Sequence, residues 1–251
     1  MPTNNESKKM MRPSAAARES ALVVVKLGKT TYRVHRALLT ESSEYFSKAF
    51  TGPWKEAREG ALTLEDVECS ASNDKKVDQF VDWLYTNKLS EEVDEDGNGE
   101  EPQHFGASKV ALNALVLGDR ILAPKFHRVV RDIIISTMMK YPPCYSTIIY
   151  GFAKLPKDHP MLDLMVESHC RLFCTESDAE KEIQHLLPEE FLLRIMLRYG
   201  RLKSDMGPST TRIRCVSHFK SLFPGWNPCD YHGHVSKEER SKCLADSKRQ
   251  A

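Results

Sequence analysis

Four residues near the C-terminal end are of types that hold a metal ion. Cys229, His232 and His234 fall within six residues, and Cys243 follows nine positions after His234, giving two thiols and two imidazoles. Such a set suits tetrahedral zinc in a structural role, because four protein ligands leave no position open for a substrate. The spacing departs from the common pattern, in which ligands pair as Cys-x2-4-Cys and His-x3-5-His. Here a single residue, Gly233, separates the two histidines. A glycine there allows the turn that ligation by both rings needs. The competing reading is a polar tail that happens to carry Cys and His.

Other chemical constellations fail on inspection. Asp94, Asp96, Asn98 and Gly99 match the first, third, fifth and sixth positions of an EF-hand loop, but the twelfth position is Phe105 and Pro102 interrupts the run. A calcium loop needs a bidentate carboxylate at that twelfth position, so a solvated acidic loop is the better reading. Cys170 and Cys174 lie four apart beside Leu172 and Phe173, a spacing that suits packing thiols on a helix. His35 has no Ser, Cys or acid nearby in a triad arrangement. No Gly-rich phosphate loop, His-Glu-x-x-His pair or nucleophile elbow occurs. The expectation is a non-enzymatic protein with no catalytic residue and, zinc aside, no cofactor.

The 251 residues suffice for one large domain or two smaller ones, and 41% hydrophobic with 8% aromatic residues is an ordinary globular composition. No apolar run approaches the roughly 20 residues of a membrane-spanning helix. A net charge of +1 provides no long-range attraction for nucleic acid. Arg194, Arg198, Arg201, Lys203, Arg212 and Arg214 cluster, with Tyr199 as their one interleaved aromatic, and read as a solvated face. Neither direct nucleic-acid binding nor membrane insertion is expected. Seven cysteines without paired spacing point to reduced thiols in the cytoplasm or nucleus. Residues 1–19 lack a secretory apolar stretch and read as a disordered, solvated N-terminus.

These residues need elements to position them. Apolar alternation over Leu22 to Leu27, the turn Gly28-Lys29 and alternation through Val34 predict a β-hairpin. From Ala37 the period becomes helical, with Leu39, Ser42, Phe46 and Phe50 near one face and Gly52-Pro53 as the stop. A polar loop over Lys55 to Gly60 leads to a brief strand, Ala61 to Leu64. Val77, Phe80, Val81, Leu84 and Tyr85 stripe the next helix, with Trp83 at its flank and Asn87 able to take a left-handed cap. An acidic segment, 90–104, follows as a loop. Leu115, Gly118, Ile121 and Leu122, then Phe126, Val129, Val130, Ile133 and Ile134, form a helical hairpin across Pro124.

Three further stripes predict an all-helical region. They are Ile148, Ile149 and Phe152; then Leu162, Met165, Val166 and Phe173, opened by Asp158 with Pro160 in the first turn; then Phe191, Leu192, Ile195, Met196 and Tyr199 after Pro188. From Ser204 the chain reads as irregular.

The run Tyr32-Arg33-Val34-His35-Arg36-Ala37-Leu38-Leu39, followed by Ser43-Glu44-Tyr45-Phe46, resembles the BTB/POZ domain, in whose pattern Val34, His35, Leu38, Leu39, Ser43, Tyr45 and Phe46 fill the signature slots. Leu84-Tyr85-Thr86-Asn87 resembles that domain's Leu-Tyr-Thr-Gly helix end, and the run Ala114 to Ile121 resembles its Ala-Asp-Lys-Tyr helix. The likeness covers about residues 20 to 140 and is closest to fungal BTB-only proteins. It implies an α+β fold, a small sheet flanked by helices, with an all-α extension over 141–203 and a tail over 204–251. It also implies a module that binds proteins without chemistry, either self-associating as a homodimer or recruiting partners. Two further functions stay open: substrate adaptor of a cullin-3 ubiquitin ligase, and transcription-associated regulator with a zinc clip. Cullin-3 adaptors carry an acid in the motif ahead of the Ala-Asp-Lys helix end, and the equivalent Val110-Ala111-Leu112 has none. The N-terminal extension that swapped dimers exchange is here a short polar segment.

Overall fold

A computed structural model describes residues 11–19, 21–27, 30–64, 71–89, 104–173, 177–205, 226–234 and 236–250. The chain divides into two compact units, Met1–Glu92 with Asn113–Val130, and Val93–Leu112 with Arg131–Ala251. No described helix is long and apolar enough to cross a membrane. The fold is α+β, a small mixed sheet with many helices and a helical C-terminal region.

The first unit begins with α1 (Pro13–Glu19), where a solvated terminus was expected. Pro at its start and the Ala15, Ala16 and Ala17 run favour a helix, and Ala16 is fully buried. Strands β1 (Leu22–Leu27) and β2 (Thr30–His35) pair antiparallel, Leu27 opposite Thr30 and Leu22 opposite His35. That register agrees with the expected two-residue hairpin connection, though Gly28 and Lys29 lie outside the described residues. Strand β3 (Ala61–Thr63) pairs parallel to β1, giving the order β2-β1-β3. Val23, Val25, Val34 and Leu62 are buried, as period-two alternation requires.

Three local details differ from the sequence reading. The helix expected from Ala37 is two, α2 (Arg36–Ser42) and α3 (Glu44–Thr51). Ser43 breaks it with extended backbone, φ −140° and ψ 126°, and its hydroxyl caps α3 by accepting from Phe46 N at 3.1 Å. The polar loop before β3 contains α4 (Lys55–Glu59), closed by Gly60 at φ 64°. In α5 (Ala71–Thr86), Trp83 is 2% exposed instead of lying on the flank. It stands three residues from Phe80 on the same face, and the two rings stack with centroids 6.2 Å apart. Asn87, at φ 56°, does take the left-handed position after that helix. Helices α6 (His104–Arg120) and α7 (Pro124–Met138) are joined by Ile121-Leu122-Ala123. They approach closely where Gly118 faces Phe126, since a Cβ at that glycine would stand 3.2 Å from the ring.

In the second unit, α8 (Tyr145–Lys154), α9 (Pro160–Leu172), α10 (Asp178–Ile183) and α11 (Glu189–Asp205) confirm the helical region. The cap of α9 is His159, whose ring accepts from Met161 N, and not Asp158. Tyr145, Ile148, Val166, Cys170 and Phe191 form its core. Helix α11 is apolar on more than one side, so the periodic stripe was right only in part. Phe191 is buried and Ile195 packs beside it, but Leu192 is 48% and Met196 64% exposed. The inward face is completed by Arg194 and Arg198, which were read as solvated. Arg194 donates to Asp163 at 2.9 Å and pairs with Glu190; Arg198 donates to Glu167 at 2.6 Å. A final helix, α12 (Lys237–Gln250), occupies the tail that was read as irregular. Its Lys, Glu, Arg and Ala content favours helix without supplying an apolar stripe to detect.

Candidate functional site

In the first unit the signature residues separate into fold-makers and one surface residue. Val34, Leu38, Leu39 and Phe46 are buried. Phe46 lies 6.2 Å from both Phe50 and Phe80, and Phe126 meets Phe80 edge-on at 5.1 Å. His35 ends β2 and occupies the cap position of α2. Its Nδ1 is 2.8 Å from the Tyr85 hydroxyl, which also accepts from His35 N at 3.2 Å. The side chain thus locks the strand-to-helix junction to α5, a structural role. Ser43 is buried, and its hydroxyl donates to the Ile121 carbonyl while capping α3. Tyr45 is exposed, and with Lys26, Lys55, Glu56, Glu59 and Arg120 it lines an open groove beside β3. That groove mixes both signs of charge, with Lys55 and Glu59 paired at 3.7 Å.

The second unit brings together the four residues singled out for metal chemistry. Ligand-capable atoms of Cys229, His232, His234 and Cys243 all lie within 4.8 Å of one another. Three short elements place them. Cys229 sits in a 3-10 turn, Pro228–Asp230, whose capping Asn227 side chain accepts from Cys229 N at 3.0 Å. His232 and His234 flank Gly233, which adopts φ 61°, the left-handed conformation expected from its position between them. Cys243 projects from α12, which is tied back to the turn by an ion pair between Arg240 and Asp230.

The polar geometry converges. His232 Nδ1 lies 3.2 Å from Cys243 Sγ, while its Nε2 lies 3.8 Å from the Asp132 carboxylate on α7. The two imidazole rings stand nearly perpendicular, 84° apart with centroids at 5.4 Å. His234 Nε2 is buried with no hydrogen-bond partner among the described residues. Burial, and next the neighbouring Cys243 thiol, push the Cys229 thiol up to about 11. Sequence reading missed Asp132, which lies about a hundred positions upstream and bears no spacing relation to the cluster.

Most of the remaining residues singled out in the sequence are not described by the structure. Asp94, Asp96, Asn98, Gly99 and Pro102 lie outside the described residues, as do Cys174, Arg212 and Arg214. Cys170 is buried beneath α11, and burial, with the Glu167 charge second, pushes its thiol up to about 11, which keeps it a neutral packing group.

Residues 17–100 match the family model of the BTB/POZ domain. No curated protein matches the chain. The match begins within α1 and takes in the β-hairpin, α2 to α4, β3 and α5, so it contains every signature residue from Val34 to Phe46. With the hairpin and the strand-to-helix junction at His35 where the resemblance places them, this chain carries a BTB/POZ domain over residues 17–100.

Proposed function

We propose that the chain is a non-enzymatic scaffold that associates with itself and recruits other proteins through its BTB/POZ domain. The observation that carries this reading is the family match over residues 17–100, a domain class that works as a protein-interaction module. The described part of that domain supports it, since His35 is engaged in tying the end of β2 to α5 and Ser43 in capping α3 and bonding the Ile121 carbonyl. Direct nucleic-acid binding has no part in this reading. Arg194 and Arg198, the foremost of the basic run, are neutralised by Asp163, Glu190 and Glu167. Free thiols at Cys144, Cys170, Cys229 and Cys243 suit the reducing cytoplasm or nucleus.

Cullin-3 is the less favoured partner. Val110, Ala111 and Leu112, which stand where adaptors carry their contact motif, are buried and include no acid. Light scattering of the full chain across micromolar concentrations is expected to show a species of twice the 28.6 kDa chain mass. A mass of one chain at every concentration removes the homodimer. Retention of the chain by an immobilised cullin-3 N-terminal domain restores the adaptor reading in its place.

A further inference from the structure

We propose that Cys229, His232, His234 and Cys243 bind one Zn2+ ion, a closed structural site that fastens residues 226–250 as a small module. The donor set is the first argument. Two thiolates and two imidazoles satisfy a borderline-soft ion with four ligands, so the site supplies structure and not Lewis-acid catalysis. Bond lengths of about 2.3 Å to sulfur and about 2.0 Å to nitrogen put tetrahedral ligands roughly 3.3–3.8 Å apart. Ligand atoms already gathered within 4.8 Å need only a small contraction to reach that geometry.

The single residue between the histidines, the one irregularity in the spacing, is resolved by the backbone. Gly233 at φ 61° turns the chain between the two histidines, whose rings stand with centroids 5.4 Å apart and planes at 84°. His232 presents Nδ1 to the cluster, 3.2 Å from Cys243 Sγ. Its other nitrogen lies 3.8 Å from the Asp132 carboxylate, which a shortening of under about 1 Å would bring to the hydrogen bond by which a carboxylate orients a metal-bound histidine. Asp132 is thereby a positioning residue.

An independent argument comes from what otherwise holds this segment. Among the residues of this segment whose exposure is described, Cys229 is the one that is buried, and α12 is highly polar. A segment so short of apolar surface gains too little from burial to order itself, and a metal supplies the missing free energy in modules of this size. The buried His234 Nε2, unpartnered among the described residues, marks a polar group whose desolvation hydrogen bonding does not offset.

The test uses the full chain purified under reducing conditions. Elemental analysis is expected to find one zinc per chain. Replacement by Co2+ is expected to give the visible absorption of a tetrahedral ion together with thiolate charge-transfer bands. The Cys229→Ser, Cys243→Ser variant is expected to retain less than a tenth of the zinc, and Asp132→Asn to weaken zinc affinity about tenfold. Negligible zinc in the wild-type chain with no tetrahedral cobalt spectrum overturns the proposal. So does full zinc retention by the double variant, or a Cys229–Cys243 disulfide found by mass spectrometry in zinc-free protein. If the double variant fails to fold, the wild-type cobalt spectrum decides. An unchanged affinity in Asp132→Asn overturns the positioning role of Asp132.

Discussion

The two units solve the same problem, holding helices together, with different forces. In the first, Phe46, Phe50, Phe80, Trp83 and Phe126 form a continuous chain of ring contacts with centroids 5.1 to 6.2 Å apart, and Lys48–Glu44 and Lys55–Glu59 pair only on exposed helix faces. In the second, an apolar core around Phe191 is flanked by a charged seam. Glu167 on α9 accepts from Arg171 of the same helix and from Arg198 of α11, and all three side chains are largely shielded from water. Apolar burial is indifferent to pH and tolerant of detail. A shielded carboxylate with two guanidiniums depends on the charge state of one group. The interaction domain is therefore expected to be the pH-insensitive part of the chain and the helical region the pH-sensitive part.

The largest expected effect tests the aromatic side. Trp83→Ala removes a ring packed on both Phe80 and Phe126, and should cost about 3–5 kcal/mol by urea denaturation, equally at pH 7 and pH 5. A loss below about 1 kcal/mol would show that the cluster is not the source of that unit's stability. On the charged side, burial raises the Glu167 carboxyl, but hydrogen bonds from Arg198 and Arg171 outweigh it and hold the group below its ordinary 4.5. A depressed folded-state pKa stabilises the fold above the unfolded value, and that contribution is lost as pH falls through the folded value. Glu167→Gln should therefore cost about 2–3 kcal/mol at neutral pH, less than the 3–5 of a fully buried pair. The gap between wild type and variant should close below the ordinary carboxylate range. A gap that persists in acid would mean that shape, and not charge, makes the seam.

What was legible in the sequence follows the same division. Apolar alternation and helical stripes located the hairpin, α5, α8, α9 and α11, because burial writes a period into the chain. The elements that went unread are polar ones. Helix α4 has the sequence Lys-Glu-Ala-Arg-Glu and buries nothing, and α12 has no apolar face, so neither leaves a period. Arg194 and Arg198 were taken for surface residues because pairing with Asp163 and Glu167 crosses about thirty positions, beyond any local pattern. The Cys/His cluster was legible as composition and, through Gly233, as a turn. Delivery of Cys243 by a helix and the approach of Asp132 required the fold. Ser43 was read as lying within one helix running from Ala37 and yet serves as a break, since its hydroxyl offers the backbone an alternative partner.

The smallest predicted effects test whether the interaction domain depends on any polar detail at all. Ser43→Ala removes the cap of α3 and the donor to the Ile121 carbonyl, and should cost about 1–2 kcal/mol. Gly60→Ala is a purer case. The residue closes α4 at φ 64°, and its carbonyl accepts from Val24 N at 2.8 Å, one step before Ala61 pairs with Val24 in the parallel β1–β3 register. An added Cβ would meet nothing within 4 Å, so no steric clash contributes and only the left-handed backbone is penalised. The expected cost is about 1 kcal/mol, and Gly60→Asn should cost less because asparagine tolerates that conformation. Losses ordered Trp83, Ser43, Gly60 would confirm an apolar unit trimmed by polar caps. If Gly60→Ala instead exceeded Ser43→Ala, the left-handed turn into β3 would be setting the sheet register, and the aromatic cluster would be packing against a sheet already fixed by that turn.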